Sequence, residues 1–323
     1  MDVDQAIRTA ESKLFRFYGL TMEESFLDLP RGRIRVLSTG AGPAVVLLHG
    51  VSLTGAAWAP LLPALAGYRV HLVDLPGHGL SSPATYRPDD IRESAIAFVD
   101  DLLDALDLPT ASVIGHSLGG MFALWYASER TERIASLVAI GSPAVALPGA
   151  IVRMPLSLMT LRALGPLFLR TPSPRPVFRY LLAQGLSPAA ATLAPPALLD
   201  ALRLPIRRPG NAQSVASLMH ALNHFRRPRT SSVLTTTELH RITTPTMFIW
   251  GEDDPFLSPT MARPSIAELP RAALHPVPGG HGPWFEDPDG CADLITQHLS
   301  TTGFPPDLPS PTRAPTPTCR TTR

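Results

Sequence analysis

The chain has 323 residues, 45% of them hydrophobic, which is enough for one large core or for a core with an inserted subdomain. A formal net charge of +1 offers no basic field for a nucleic-acid partner, and two cysteines, Cys291 and Cys319, exclude a disulfide framework and supply no metal-site pair. No apolar run is long enough to span a membrane, and Met1-Asp2-Val3-Asp4 lacks the basic-then-apolar pattern of a signal peptide, so a reduced, soluble, cytoplasmic protein without stable membrane insertion is expected.

From about Asp4 to Tyr18 the spacing of Ala6, Ile7, Leu14, Phe15 and Phe17 predicts an amphipathic packing helix that stops at Gly19. Residues 25–29 and 33–37 alternate apolar and polar around Pro30-Arg31-Gly32, which predicts an antiparallel hairpin at a sheet edge. Residues 44–48 are continuously apolar, as in a strand buried on both faces, and end in His49-Gly50-Val51-Ser52. A helix is expected through Ala57, Trp58, Leu61, Leu62 and Leu65. The strand at 69–73 ends in Asp74-Leu75-Pro76-Gly77-His78-Gly79-Leu80-Ser81, too rich in Pro and Gly for helix. Pro88 to Leu106 carries a strong apolar stripe with Asp89, Asp90 and Glu93 in its first turn.

Val113-Ile114-Gly115-His116-Ser117-Leu118-Gly119-Gly120 then reads as a strand that turns sharply into a helix through Met121, Phe122, Leu124, Trp125 and Ala127. Gly-x-Ser-x-Gly in that context holds a serine in a strained turn, with glycines where a Cβ would crowd the neighbouring strand or helix. Residues 134–141 form another buried strand, and the alternation so far predicts a parallel sheet with right-handed crossovers.

The rhythm breaks from about Pro143 to His240, where helical pieces are interrupted by repeated prolines, among them Pro148, Pro166, Pro188 and Pro205. This stretch is expected to be an inserted helical cap. It carries eleven arginines against Asp200 and Glu238, hence +9, leaving −8 for the rest of the chain. That balance fits solvated arginines on an apolar subdomain, or a surface that attracts anionic or interfacial substrates. The rhythm resumes with strands at 246–251 and 273–277, a helix near 260–269 between them, and a last helix from about 288 to 299. The expected organisation is therefore core at 1–142, cap at 143–240, core at 241–300, and a disordered Pro-rich tail at 301–323.

A serine hydroxyl needs a base within reach, and the base needs an orienting acid. His281 and Asp254 each follow a predicted strand, and parallel strands open their carboxyl ends on one edge, so Ser117, Asp254 and His281 converge there. Their order is that of the α/β-hydrolase arrangement. The chain from about Phe26 to Leu299 resembles an α/β-hydrolase fold protein with an inserted cap. The motifs behind the resemblance are His49-Gly50, the Asp74–Ser81 loop, Gly115-His116-Ser117-Leu118-Gly119-Gly120, Gly251-Glu252-Asp253-Asp254 and Gly280-His281. The resemblance implies a mostly parallel central sheet with helices on both faces, and a Ser117–His281–Asp254 triad with Asp253 as the second choice of acid. It implies an oxyanion hole from the backbone N–H of Leu118 and of Val51, with Ser52 as another donor in that loop. It gives His49 and His78 structural roles and points the side chain of His116 away from the nucleophile.

His220 and His224 stand at i,i+4 spacing, but no third ligand accompanies them, so neither a metal nor any cofactor is expected. Serine at the elbow argues against carbon–halogen and epoxide cleavage, since family members performing those reactions carry aspartate there. What remains is acyl transfer to water from an ester, lactone or thioester of a small hydrophobic substrate. Cleavage of a 1,3-diketone carbon–carbon bond and a non-catalytic ligand-binding role are the alternatives, with perhydrolysis as a side reaction.

Overall fold

The computed structural model describes residues 2–302 apart from Pro155 and Pro172; the expected tail beyond residue 302 lies outside the described residues. In chain order the elements before the serine turn are α1 (Val3–Phe17), β1 (Glu23–Leu29), β2 (Gly32–Thr39), β3 (Ala44–Leu48), β4 (Arg69–Val73), α2 (Ile91–Ala105) and β5 (Ala111–His116). After it come α3 (Leu118–Ala127) and β6 (Ile134–Ile140). The inserted segment then supplies α4 (Gly165–Arg170), α5 (Arg175–Gly185), α6 (Pro188–Leu193), α7 (Pro196–Arg203), α8 (Asn211–Leu222), β7 (Asn223–His224), β8 (Arg227–Pro228) and α9 (Thr236–Arg241). The chain closes with β9 (Thr246–Gly251), α10 (Pro259–Ile266), β10 (Ala272–Val277) and α11 (Pro288–Thr301).

Eight of these strands form one sheet in the order β1-β2-β4-β3-β5-β6-β9-β10. β2 pairs antiparallel with β1 and with β4, and every other neighbour pair is parallel. The register sets Leu48 beside both Val73 and Gly115, His116 beside Ile140, and Gly251 beside Val277. The carboxyl ends of the parallel strands are thereby level, and the loops after them share one edge. Strand periodicity divides the apolar side chains between two cores. Val46, Leu48, Phe248 and Trp250 face α2, α3, α8 and α10. Val45, Leu47, Met247 and Ile249 face α1, α7 and α11. All ten residues of α3 are buried, as expected of a helix apolar on every side.

Several predicted elements shift, each for a visible reason. The helix expected across Ala57–Leu65 is two separate 3-10 turns, Gly55–Trp58 and Leu62–Leu65. Pro60 and Pro63 withdraw N–H donors from any continuous helix there. α2 begins at Ile91, so Asp89 and Asp90 precede its first turn and only Glu93 lies within it. On α1, Phe17 is 46% exposed while Glu11 takes the buried position on the apolar face. Glu11 can be buried because Arg35 faces it. Arg35 donates from Nη2 to Glu11 at 2.6 Å, from Nε to Glu24 at 2.7 Å and from Nη1 to Asp74 at 3.3 Å. Asp74 in turn accepts the N–H groups of Gly55 and Leu80, and its carbonyl accepts the Ser81 hydroxyl. The Asp74–Ser81 motif is thus a hydrogen-bonded structural loop that ties α1, β2 and β4 together.

Candidate active site

Ser117 lies between the end of β5 and the start of α3 with φ 50 and ψ −111, a conformation rarely adopted by a residue with a side chain. Its N–H donates to the Ile140 carbonyl at 3.3 Å, which fixes the turn against β6. A Cβ on Gly119 would strike the backbone of Leu48, and one on Gly115 would strike the Gly119–Gly120 backbone. The flanking glycines are therefore required by close approach of β3 and α3.

The loops after β9 and β10 bring Asp254 and His281 together. His281 Nδ1 is 2.7 Å from Asp254 Oδ2, with both side chains buried. Asp254 Oδ2 also accepts the Ser142 N–H at 2.8 Å, and Oδ1 accepts the Phe256 N–H at 2.9 Å. A carboxylate with these acceptor duties leaves Nδ1 of His281 as the donor and Nε2 available for chemistry. Asp253, by contrast, is exposed. The backbone of His281 is held at both ends: its N–H donates to the Leu186 carbonyl at 2.6 Å, and its carbonyl accepts from His116 Nε2 at 3.1 Å.

The side chain of His116 supports the His281 loop. Its ring packs 4.7 Å from the rings of both His281 and Trp284, beneath the His281 loop. Donation from Nε2 leaves Nδ1 bare, and that atom has no hydrogen-bond partner among the described residues. His49 matches the structural role expected of it. Its Nε2 accepts the Leu75 N–H at 3.0 Å, so its proton sits on Nδ1 and donates to the Gly50 carbonyl at 2.8 Å. This fixes the loop that carries Val51. His78 stacks edge-on against His49, with centroids 5.1 Å apart. His220 closes α8 while His224 lies in the following hairpin, so the two do not share a helix face. Among the described residues no group of three His, Cys, Asp or Glu side chains is placed to hold a metal ion.

Leu118 is the first residue of α3, and neither its N–H nor that of Val51 is hydrogen-bonded within the described residues. Both residues line a cavity of about 330 Å³ together with Ser117 and His281. The far wall comes from the inserted segment, through Leu156, Met159, Phe168, Phe178 and Leu182 among others, and is predominantly apolar. Ser52 also lines it, at φ 60, with its buried hydroxyl unpartnered among the described residues. Three contributors were not apparent from the sequence. The Ser142 N–H orients Asp254, the Phe256 ring lies 4.6 Å from that of His281, and Trp284 stacks on Trp58 while donating to the Ala57 carbonyl. Phe256 and Trp284 sit two and three residues after the acid and the histidine, which was the only available signal.

Burial disfavours the charged form of four histidines. His78 is pushed down to about 3 and His71 to about 4, and His49 and His116 are lowered for the same reason. Unfolded histidines protonate near 6.5, so below that pH the unfolded chain binds more protons and stability falls with falling pH. Each such histidine contributes a slope approaching about 1.4 kcal/mol per pH unit between about pH 6 and its folded pKa. Denaturant midpoints measured from pH 7.5 to 5 are expected to fall, and His78→Gln is expected to flatten that fall; equal slopes for the two proteins would contradict it.

A strained serine between strand and helix, with an Asp–His pair across an apolar cavity at the carboxyl edge of a parallel sheet, defines a hydrolase-type site. A sequence profile of the α/β hydrolase fold matches residues 43–288, and the chain belongs to that family. Pimeloyl-[acyl-carrier protein] methyl ester esterase of Xanthomonas campestris is 46% identical over 94 residues, which cover 29% of this chain and 34% of the esterase. The chain thus matches about a third of the length of that relative. An uncharacterized protein of Mycobacterium tuberculosis is 27% identical, covering 81% of this chain and 77% of its own. Among solved structures, carboxylesterase CesB of Bacillus subtilis superposes with a TM-score of 0.74 at 19% identity, covering 93% of this chain and 99% of its own. A meta-cleavage product hydrolase, CumD, superposes with a TM-score of 0.65 at 22% identity, over 86% of this chain and 98% of its own.

Proposed function

We propose that the protein is a serine hydrolase that cleaves an ester-type bond, carboxylester, lactone or thioester, of a small hydrophobic substrate through an acyl-enzyme. The observation that carries this reading is the 2.7 Å His281–Asp254 pair lining, through His281, the same cavity as the strained Ser117. His281 Nε2 takes the Ser117 proton as Oγ attacks the acyl carbon, then delivers it to the leaving alcohol or thiol. Asp254 keeps the Nδ1–H tautomer and stabilises the imidazolium. The free N–H groups of Leu118 and Val51 receive the oxyanion. Water then attacks the acyl-enzyme by the reverse proton path and releases the acid. The scheme uses neither metal nor cofactor, and a small molecule is the only partner it needs.

The apolar lining favours aliphatic acyl groups, and a cavity of about 330 Å³ suits a chain of roughly four to eight carbons. The reading is tested with p-nitrophenyl esters of two to twelve carbons beside an aryl 1,3-diketone. Turnover is expected for the esters, with kcat/KM greatest at intermediate length. Preferential cleavage of the diketone would move the reading to the carbon–carbon hydrolases, and no turnover of either by folded protein would favour a binding protein.

A further inference from the structure

The eleven arginines of the inserted segment divide into two groups. Arg175 and Arg203 pair with Asp200, Arg208 with Asp4, and Arg179 and Arg229 donate to backbone carbonyls. The segment's other acid, Glu238, is held by Arg92. Arg153, Arg162, Arg170, Arg207, Arg226 and Arg227 are exposed, and none of them is ion-paired among the described residues.

Arg226 and Arg227 directly follow a strained aromatic in the chain, and Arg153 follows Val152, which is hydrogen-bonded to Arg226. β7 and β8 pair as Asn223↔Pro228 and His224↔Arg227, leaving Phe225 and Arg226 as a two-residue turn. Turns of this kind call for positive φ, and glycine or asparagine usually supplies it. Here Phe225 takes φ 59 and is 43% exposed, so a bulky ring occupies a strained position with a large part of its surface open to solvent. The turn belongs to the cavity rim. The Val152 N–H donates to the Arg226 carbonyl at 3.1 Å, and Ile151, Val152 and Asn223 line the cavity. Ile151 and Met154, either side of Arg153, are 39% and 52% exposed.

We infer that this rim, with Phe225 at its tip, docks the protein on an anionic lipid–water interface. Large apolar side chains enter the acyl boundary while Arg153, Arg226 and Arg227 meet the headgroups. Exposed apolar groups next to unpaired cations in the chain, with the segment's own acids already neutralised, are complementary to that surface. It is less suited to an acidic protein, which would use the arginines and leave Phe225 in water. The docking is peripheral: no helix among the described residues is long and apolar enough to cross a membrane. It also stands independently of the reaction proposed above.

Co-sedimentation of the full chain with phosphatidylcholine vesicles, with and without one-third phosphatidylglycerol, tests the inference. Binding to the anionic vesicles is expected at 50 mM salt, with weakening at 500 mM and little binding to neutral vesicles. Phe225→Gly relieves the positive φ and removes the ring, so two effects of opposite sign are expected. Its thermal midpoint rises by about 1–3 °C, while its partition onto anionic vesicles falls about tenfold or more. Arg226→Gln with Arg227→Gln is expected to reduce partitioning by about tenfold as well. Failure of the unaltered protein to bind anionic vesicles at low salt overturns the inference. So does a Phe225→Gly protein that binds as tightly, which would leave the arginines as a site for some other acidic partner.

Discussion

Replacing Ser117 by alanine is expected to lower ester hydrolysis by about 10⁴-fold or more with the fold intact. The side chain carries no structural duty that alanine would forfeit. No capping hydrogen bond is made by its hydroxyl, and the turn is fixed by the Ser117 N–H to Ile140 and by the approach of Gly119 to Leu48. What alanine removes is the hydroxyl proposed as the nucleophile, on a residue that lines the same cavity as His281 and Leu118. Circular dichroism and the thermal midpoint separate loss of chemistry from loss of fold, and turnover by Ser117→Ala equal to the unaltered enzyme would assign the reaction elsewhere.

Asp254→Asn is expected to cost about 10³- to 10⁴-fold in kcat. All three groups facing this side chain are donors: the Ser142 N–H and the His281 Nδ1–H toward Oδ2, and the Phe256 N–H toward Oδ1. An amide has one acceptor oxygen, so its NH₂ must confront a donor in either orientation. If it faces Oδ2's partners, His281 is driven to the other tautomer, with its proton on Nε2 where a base is needed. If it faces Phe256, the loop that aims the residue is strained, and the imidazolium loses its counter-charge in either case. Asp253→Asn, at the neighbouring exposed position, is expected to leave kcat unchanged. Equal losses at both positions, measured with the same ester, would remove the distinction between them.

The architecture was legible wherever local pattern and backbone chemistry agree. Val45-Val46-Leu47-Leu48 and Met247-Phe248-Ile249-Trp250 are apolar on both faces because two cores cover them, and continuous apolar runs report that directly. The elbow could be read because its two glycines answer steric demands that hardly any other residue meets. Long-range reciprocity was not legible. Glu11 looks like a solvent residue until Arg35 is brought opposite it, and that contact spans 24 positions of chain. His116 sits next to the nucleophile in sequence, yet its ring serves the loop of His281, 165 residues away. The inserted segment was least legible because its short helices are punctuated by proline and packed by contacts no periodicity encodes. Its strained hairpin at Phe225 leaves no trace in composition, since Asn-His-Phe-Arg-Arg lacks the glycine that usually marks such a turn.

The central claim, that Ser117 is the acyl-accepting nucleophile, is tested most directly by reacting the full chain with a fluorophosphonate and mapping the adduct by peptide mass spectrometry. The account predicts one stoichiometric adduct, on the peptide containing Ser117, formed in step with loss of ester hydrolysis and absent from Ser117→Ala. Hydrolysis that continues after complete labelling of Ser117, or an inactivating adduct on any other residue, would contradict it.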